Sequence, residues 1–478
     1  MYLGLDLGTA SVKAALFDAD GRLARTVARA YDVRAPMPNQ AESDPQAWWI
    51  AVGQAVRTLL DDDAKSVHAL GLSGQMHGVV LCDAEGEALR PAILWADARS
   101  TAELRAYDAV PDVRRTELRN PITTGMAGPT LLWLRQHEAS LYGRARFALQ
   151  PKDWLRLRLT GEAFAEPSDA SGTLLYDLER DTWHAALVEA LGLRLDLLAP
   201  LVPSSATAGF LSSRAAKYLG LPSGLPVAAG AADTAAALLG TGITAGQLQL
   251  TIGTGAQVVR AEASLPASRP ALHVFRSSNH EGWYTLAAVQ NAGLALEWAR
   301  RTLHLDWTEF YEAAQQSEPG ARGLTFLPYM TGDRTPHLDP QARGGWIGAG
   351  LEHDASHLAR SAFEGVALSI RDAVRLLTSS TPGTLRLAGG GSLHPWWRQL
   401  LADILQSVLE IVDVPVASAY GAALLAQAAE TGRGPRTSIV SVRSIIEPRA
   451  DAHMQALADA TERFSAAYTA LRPWFSRR

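Results

Sequence analysis

Apolar and polar positions alternate through Leu3-Gly-Leu-Asp-Leu-Gly-Thr9, and nearly the same pattern returns 245 residues later as Leu248-Gln-Leu-Thr-Ile-Gly-Thr254. In each copy an apolar strand runs into Gly-Thr, then small residues, then a second apolar strand, which predicts a hairpin with a tight turn. Strands are expected over residues 2–6, 14–18, 23–28, 67–72 and 79–82. Asp44-Pro45 opens a helix in the favoured cap-plus-proline arrangement. Its apolar positions Trp48, Val52, Ala55, Val56 and Leu59 fall at the 3.6-residue spacing of a helix lying on a sheet. In the second half Asp354 is placed to cap a long helix with Phe363, Val366, Ile370, Val374 and Leu377 on one face. A short strand at 385–388 then breaks into glycines, helices follow over about 395–408 and 419–430, and the tail predicts a strand and a closing helix at 454–471. The pattern is α/β, and the repeated hairpin at the head of each half predicts two similarly built domains meeting at a cleft. The boundary is expected near residues 240–246, giving domains 1–243 and 244–478.

Composition narrows this picture. A length of 478 residues exceeds one ordinary core, and 47% hydrophobic with 19% charged residues describes a folded chain. A net charge of −5 supplies no basic field for nucleic acid or an anionic membrane. The single cysteine, Cys82, excludes an intrachain disulfide and fits a reducing compartment. The first residues carry no basic leader, and the longest uncharged stretch, 234–259, is broken by Gln247 and Gln249. A cytoplasmic protein is expected.

Four groups of residues carry candidate chemistry. Gly8-Thr9 and Thr251-Ile-Gly253-Thr254 are turns that either simply close hairpins or offer backbone N–H and hydroxyl groups to phosphate. Asp6 immediately precedes the first turn, where a carboxylate tolerates a triphosphate only with Mg²⁺ between them, usually through water. Lys13, one of four lysines, lies just beyond that turn and is placed to meet phosphate. Gly389-Gly390-Gly391 is either a plain strand-to-helix turn or a flat approach for an adenosine. Asp233 is the lone charge between Leu225 and Val259, and reads as a helix cap or as a general base for a substrate hydroxyl. Gly74-Gln75-Met76-His77-Gly78 and Trp95-Ala-Asp97-Ala-Arg99 set mixed polar groups beside a tryptophan, which suits a polyhydroxylated sugar.

Taken in order, Asp6-Leu-Gly-Thr9, Gly74-Gln-Met-His-Gly78, Trp95-Ala-Asp-Ala-Arg99, Gly332-Asp-Arg-Thr-Pro336 and Gly389-Gly-Gly391 resemble the FGGY carbohydrate kinases. Gln75-Met76-His77, Lys152-Asp-Trp-Leu and Ser168-Asp-Ala-Ser-Gly172 are similar to the xylulokinase branch of that family. The resemblance implies two ribonuclease-H-like domains of the actin/hexokinase type flanking a central cleft, the first mainly holding sugar and the second mainly nucleotide. It implies ATP with Mg²⁺ as cofactors and phosphoryl transfer to D-xylulose. Asp233 would be the base, Asp6 would support the metal, and Gln75, Met76, His77, Trp95, Asp97 and Arg99 would bind sugar. Gly8, Thr9, Lys13, Thr251, Gly253, Thr254 and Gly389 to Gly391 would hold the nucleotide. Partners are then a pentulose and ATP, without nucleic acid or membrane, and a homodimer is left open. Another pentulose, hexulose or polyol is the alternative substrate, and a non-catalytic nucleotide sensor on the same fold a remoter one. Ala96, Asp333, Tyr420 and the glycine-poor run Ala229-Gly-Ala-Ala232 depart from the family pattern without removing a catalytic group.

Overall fold

All six residues of the Tyr2–Leu7 strand are buried, the mark of a strand covered on both faces. In the computed structural model, which describes residues 1–60, 63–279, 281–378, 380–436, 440–449 and 453–477, that strand lies inside a mixed sheet. It pairs antiparallel with Ser11–Phe17, which pairs in turn with Leu23–Ala30. On its other side it pairs parallel with Ala69–Gly74, and Pro226–Ala228 continues the sheet in parallel. The second half repeats the plan. Leu248–Ile252 pairs antiparallel with Ala256–Glu262, which pairs with Trp283–Val289. Thr384–Ala388 and Val408–Val412 extend it in parallel on the other side. The hairpin echo therefore marks the founding hairpin of each of two sheets of like order, the ribonuclease-H-like arrangement expected.

Register decides what these sheets present. Asp6 is paired with Ser73, and Ser73 with Ala231 of the short Ala231–Ala232 strand. Asp233, two residues further on, thus leaves the sheet at the end where Asp6 stands, and opens the Asp233–Gly240 helix. The carboxyl ends of parallel strands are where open α/β sheets hold their ligands.

The Pro45–Leu60 helix covers one face of the first sheet with Trp48, Val52, Ala55, Val56 and Leu59 buried. The other face is met by Ala417–Thr431, which follows the second sheet in sequence but packs on the first. Gly4 and Gly71 make this possible, because an added Cβ would lie 1.9 Å from the carbonyl oxygen of Ala419 and 1.8 Å from that of Ala422. Tyr420 on this helix sets its ring 4.9 Å from that of Phe17. In the second half, Asp354 accepts from the backbone N–H of Ser356 at 2.9 Å and opens Ala355–Leu377 as expected.

One boundary differs. The helix expected to reach residue 408 ends at Leu405, because Gln406 turns left-handed with φ 53°. Val408-Leu-Glu-Ile-Val412 then alternates into a parallel strand. Among the described residues no helix is long and apolar enough to cross a membrane.

Gly71→Ala drives a methyl group into helix backbone that has no free end to move. A loss of about 3 kcal/mol is expected, at the upper end for overpacking, read as a lowered urea midpoint. Gly143→Ala, where an added Cβ meets nothing within 4 Å, is the control and should leave the midpoint unchanged or higher.

Candidate active site

Between the two sheets lies a cavity of about 220 Å³ lined by both halves of the chain. Thr9, Met76, His77, Trp95 and Asp233 come to it from the first half, and Gln257, His273, Phe275 and Arg334 from the second.

Asp233 is the first residue of its helix, and its Oδ1 accepts from the Thr234 N–H at 2.6 Å and the Thr234 hydroxyl at 3.2 Å. It forms no ion pair among the described residues. Burial, and then the nearby Asp6, push its pKa up to about 7, against the two Thr234 contacts that lower it. Asp6 is itself raised by burial, with Lys13 and the Ser73 hydroxyl opposing. That hydroxyl donates to Asp6 Oδ1 at 3.1 Å. Lys13 stands opposite Asp6 in the hairpin register, with its side chain exposed.

His77 takes a left-handed backbone with φ 70°. Its Nδ1 lies 2.6 Å from the Gly172 carbonyl oxygen. A carbonyl only accepts, so Nδ1 carries the proton and Nε2 is left as an acceptor. Burial pushes the His77 pKa down to about 4, so the ring is neutral near pH 7. His273, stacked at 5.8 Å on Phe275, is pushed down to about 3 by burial and then by His77 and Arg334. Trp95 donates through Nε1 to the Thr9 hydroxyl at 2.9 Å, while the Arg334 guanidinium of the other half sits 5.9 Å from its ring centre. The cavity thus offers a carboxylate, two neutral imidazoles, hydroxyls and an indole face, which is chemistry for a polyol.

Three residues expected to bind sugar do not line this cavity. Gln75 lies beneath the first turn and donates to the Gly8 carbonyl at 3.2 Å. Asp97 accepts from the Ala41 N–H at 2.6 Å and from Arg99 Nε and Nη2 at 2.9 and 2.7 Å. Arg99 also pairs with Glu42 at 2.7 Å and lies over Trp133. Asp97 and Arg99 saturate one another behind Trp95. Gln257, His273, Phe275 and Arg334 escaped the sequence reading. Arg334 lies inside the Gly332–Pro336 motif and was open to notice, but nothing local distinguishes a lone histidine on an apolar strand.

The second turn packs against the triple glycine. Gly389 has φ 93°, and an added Cβ would lie 2.6 Å from the Ile252 carbonyl. Gly389 and Gly390 line a cavity of about 250 Å³ with Ile411, Asp413, Arg398 and Arg443, while Gly391 packs on Ile252. Thr251 lies against Gly389, while Gly253 and Thr254 accept from the N–H groups of residues 292–294, the turn closed by the Gly253 N–H to the Gly255 carbonyl at 2.8 Å; none of the three lines that cavity. Asp333 lies off both cavities; its carboxylate accepts from the His337 N–H at 2.8 Å, and burial pushes its pKa up to about 7.

Elsewhere, Glu117, Asp177 and His184 bring ligand-type atoms within 4.8 Å of one another. The Leu187 N–H donates to His184 Nδ1 at 3.3 Å, so the proton sits on Nε2 and bonds Glu117 at 2.8 Å. Arg180 pairs with Asp177 at 2.5 Å, and the group is closed by its own contacts.

Comparison with known proteins agrees with this geometry. Residues 1–240 match the N-terminal domain of the FGGY family of carbohydrate kinases, and residues 248–430 match its C-terminal domain. A xylulose kinase of Escherichia coli K12 is 36% identical over 449 residues, covering 92% of each chain. One from Staphylococcus epidermidis is 32% identical, covering 98% of this chain and 96% of its own. The crystal structure of a protein described as a xyloylose kinase from Brucella ovis superposes with a TM-score of 0.91 at 33% identity, covering 99% of both chains. With both family domains matched in order and full-length relatives above 30% identity, the chain belongs to the FGGY family of carbohydrate kinases.

Proposed function

We propose that this sugar kinase transfers the γ-phosphoryl group of ATP to the terminal hydroxyl of D-xylulose, with Asp233 as general base. The observation that carries the reading is the Asp233 carboxylate, poised near pH 7, in a sugar-sized cavity beside the Thr9 turn. The relatives named xylulose kinase support the choice of ketose.

Met76, His77 and Trp95 hold the sugar, His77 Nε2 accepting from one of its hydroxyls. Asp233 takes the proton of the terminal hydroxyl, the freed oxygen attacks the γ-phosphorus, and ADP departs. Because this transition state needs little covalent help, alignment of sugar and phosphate supplies most of the acceleration. Gly8, Thr9, Lys13 and the Gly253-Thr254 turn face the phosphates, and the Gly389-Gly390 cavity takes the adenosine. Asp6 fits a magnesium ion: it is a buried hard-oxygen donor whose Oδ2 accepts no hydrogen bond among the described residues. Magnesium bound there would neutralise charge on the phosphates. Arg334, arriving from the other half, caps the sugar cavity.

Asp233→Ala should lower turnover by at least about 10²-fold, the lower range of general-base catalysis, with ADP binding by calorimetry preserved; near-parental turnover rejects the base. Activity should rise with pH through about 7 as Asp233 loses its proton. The same shift predicts a stability effect of fixed sign. A carboxylate raised in the folded state holds a proton that the unfolded chain releases between about 4 and 7, so its contribution is present at low pH and lost as pH rises through 7. Asp233→Asn, which keeps the Thr234 contacts, should therefore raise the melting temperature at pH 8 and leave it unchanged at pH 4. Across D-xylulose, L-xylulose, D-ribulose, gluconate and glycerol, kcat/KM should be highest for D-xylulose.

A further inference from the structure

Behind Asp233 lies a charge cluster that the proposed reaction does not use. Lys152, Asp153, Arg156, Glu166 and Asp169 are all buried, at 0 or 1% exposure. Lys152 Nζ lies 2.7 Å from Asp153 and 3.2 Å from both Glu166 and Asp169. Burying five ionisable groups is costly unless each is paired and hydrogen-bonded, so the arrangement calls for a reason.

The contacts leaving the cluster converge on residues 229–232, the segment that delivers Asp233. Arg156 Nη1 donates to the Ala229 carbonyl at 2.6 Å. The Gly230 N–H donates to the Ser204 carbonyl at 3.0 Å, and the Ser204 hydroxyl donates to Glu166 at 2.6 Å. The Ala232 N–H, one residue before the carboxylate, donates to the Ser168 hydroxyl at 3.0 Å. Ser168 in turn donates to Glu166 Oε1 at 2.9 Å, while its own N–H bonds Oε2 at 2.8 Å. The same short turn reaches two other walls of the sugar cavity. The Gly172 carbonyl holds His77, and the Ser171 hydroxyl accepts from the Arg276 N–H at 3.0 Å, at the end of the His273–Arg276 strand.

We propose that Ser168, locked by the Glu166–Lys152 cluster, is a positioning residue that sets Asp233 in register with His77 and with the wall supplied by the second half. This rests on Asp233 being the base. Ser168 lines neither the sugar cavity nor the Gly389-Gly390 cavity and acts through the Ala232 amide. Its hydroxyl is saturated on both sides, so removing it frees the amide next to the base and lets the carboxylate drift. Ser168 thus ties the base to the sugar-holding turn, and the cluster supplies the rigidity.

The test is a double-mutant cycle on the full chain with ATP and D-xylulose. Ser168→Ala should lower kcat by about 10- to 100-fold, as expected for misplacement of a reacting group, with the sugar and ATP KM values little changed. In the Asp233→Ala background the same substitution should have almost no further effect, because its route of action is gone. Ser168→Cys, which fills the space and keeps a weak acceptor, should retain more kcat than the alanine variant, and it carries the cycle if Ser168→Ala does not fold. Equal losses in both backgrounds, or a change confined to KM, overturn the proposal. Full turnover by Asp233→Ala alone overturns the base reading, and with it this one, and is distinguishable from either of those results.

Discussion

The whole arrangement depends on keeping one carboxylate uncompensated inside a walled cleft. Among the described residues Asp233 has only Thr234 to hold its charge, while Asp6 nearby raises the cost of that charge. A lysine or arginine at hydrogen-bond distance would remove the cost and with it the basicity. Near a pKa of 7 the group accepts a proton readily yet is ionised in a good share of molecules, which is what the proposed general base requires. Both carboxylates are set by the backbone: Asp6 and Ala231 share Ser73 as register partner, so the sheet fixes their proximity whatever their side chains would prefer.

Duplication supplies the remaining geometry. Each sheet opens with a hairpin closed by a Gly-Thr turn; Thr9 of the first lines the cavity, and the second lies where its sheet meets the triple glycine. The helices between the halves have to cross close to the sheets, and glycine makes that possible. Gly4 and Gly71 accept the carbonyls of Ala419 and Ala422, and Gly421 faces the Ala236 carbonyl, where an added Cβ would lie 1.9 Å away. Through that contact the Asp233–Gly240 helix rests on the Ala417–Thr431 helix, so sheet, Asp233 helix and crossing helix form one stack.

Features encoded by short runs were legible in the sequence. The two hairpins, the capped helix after Asp354 and the isolation of Asp233 follow from turn chemistry, caps and charge spacing within a few residues. Features set by long-range contact were not. Asp97 and Arg99 look like ligands in a row of polar side chains, and only the fold shows the guanidinium folded back onto the carboxylate two residues away. His273 and Phe275 sit on a strand whose alternation is ordinary, and the opposing sheet alone turns them into a cavity wall. The apolar run at 400–412 is compatible with helix throughout, and the left-handed Gln406 divides it.

The two buried acidic sites teach opposite lessons about charge. In the cluster, Glu166 receives the N–H groups of Ser168 and Asp169, two hydroxyls and Lys152, so its charge is spent on fixing backbone. Asp233, a few residues along the same network, receives only the N–H and hydroxyl of Thr234 among the described residues, and its pKa is raised. Had the Lys152 ammonium reached Asp233 instead, the segment would be firmer and the basicity proposed for Asp233 would be lost. Next to Asp233 the hold is made by neutral carriers, a serine hydroxyl and a peptide N–H, while the Arg156 guanidinium grips the segment farther back, at the Ala229 carbonyl. This separation lets one short stretch of chain be both tightly held and chemically unsatisfied.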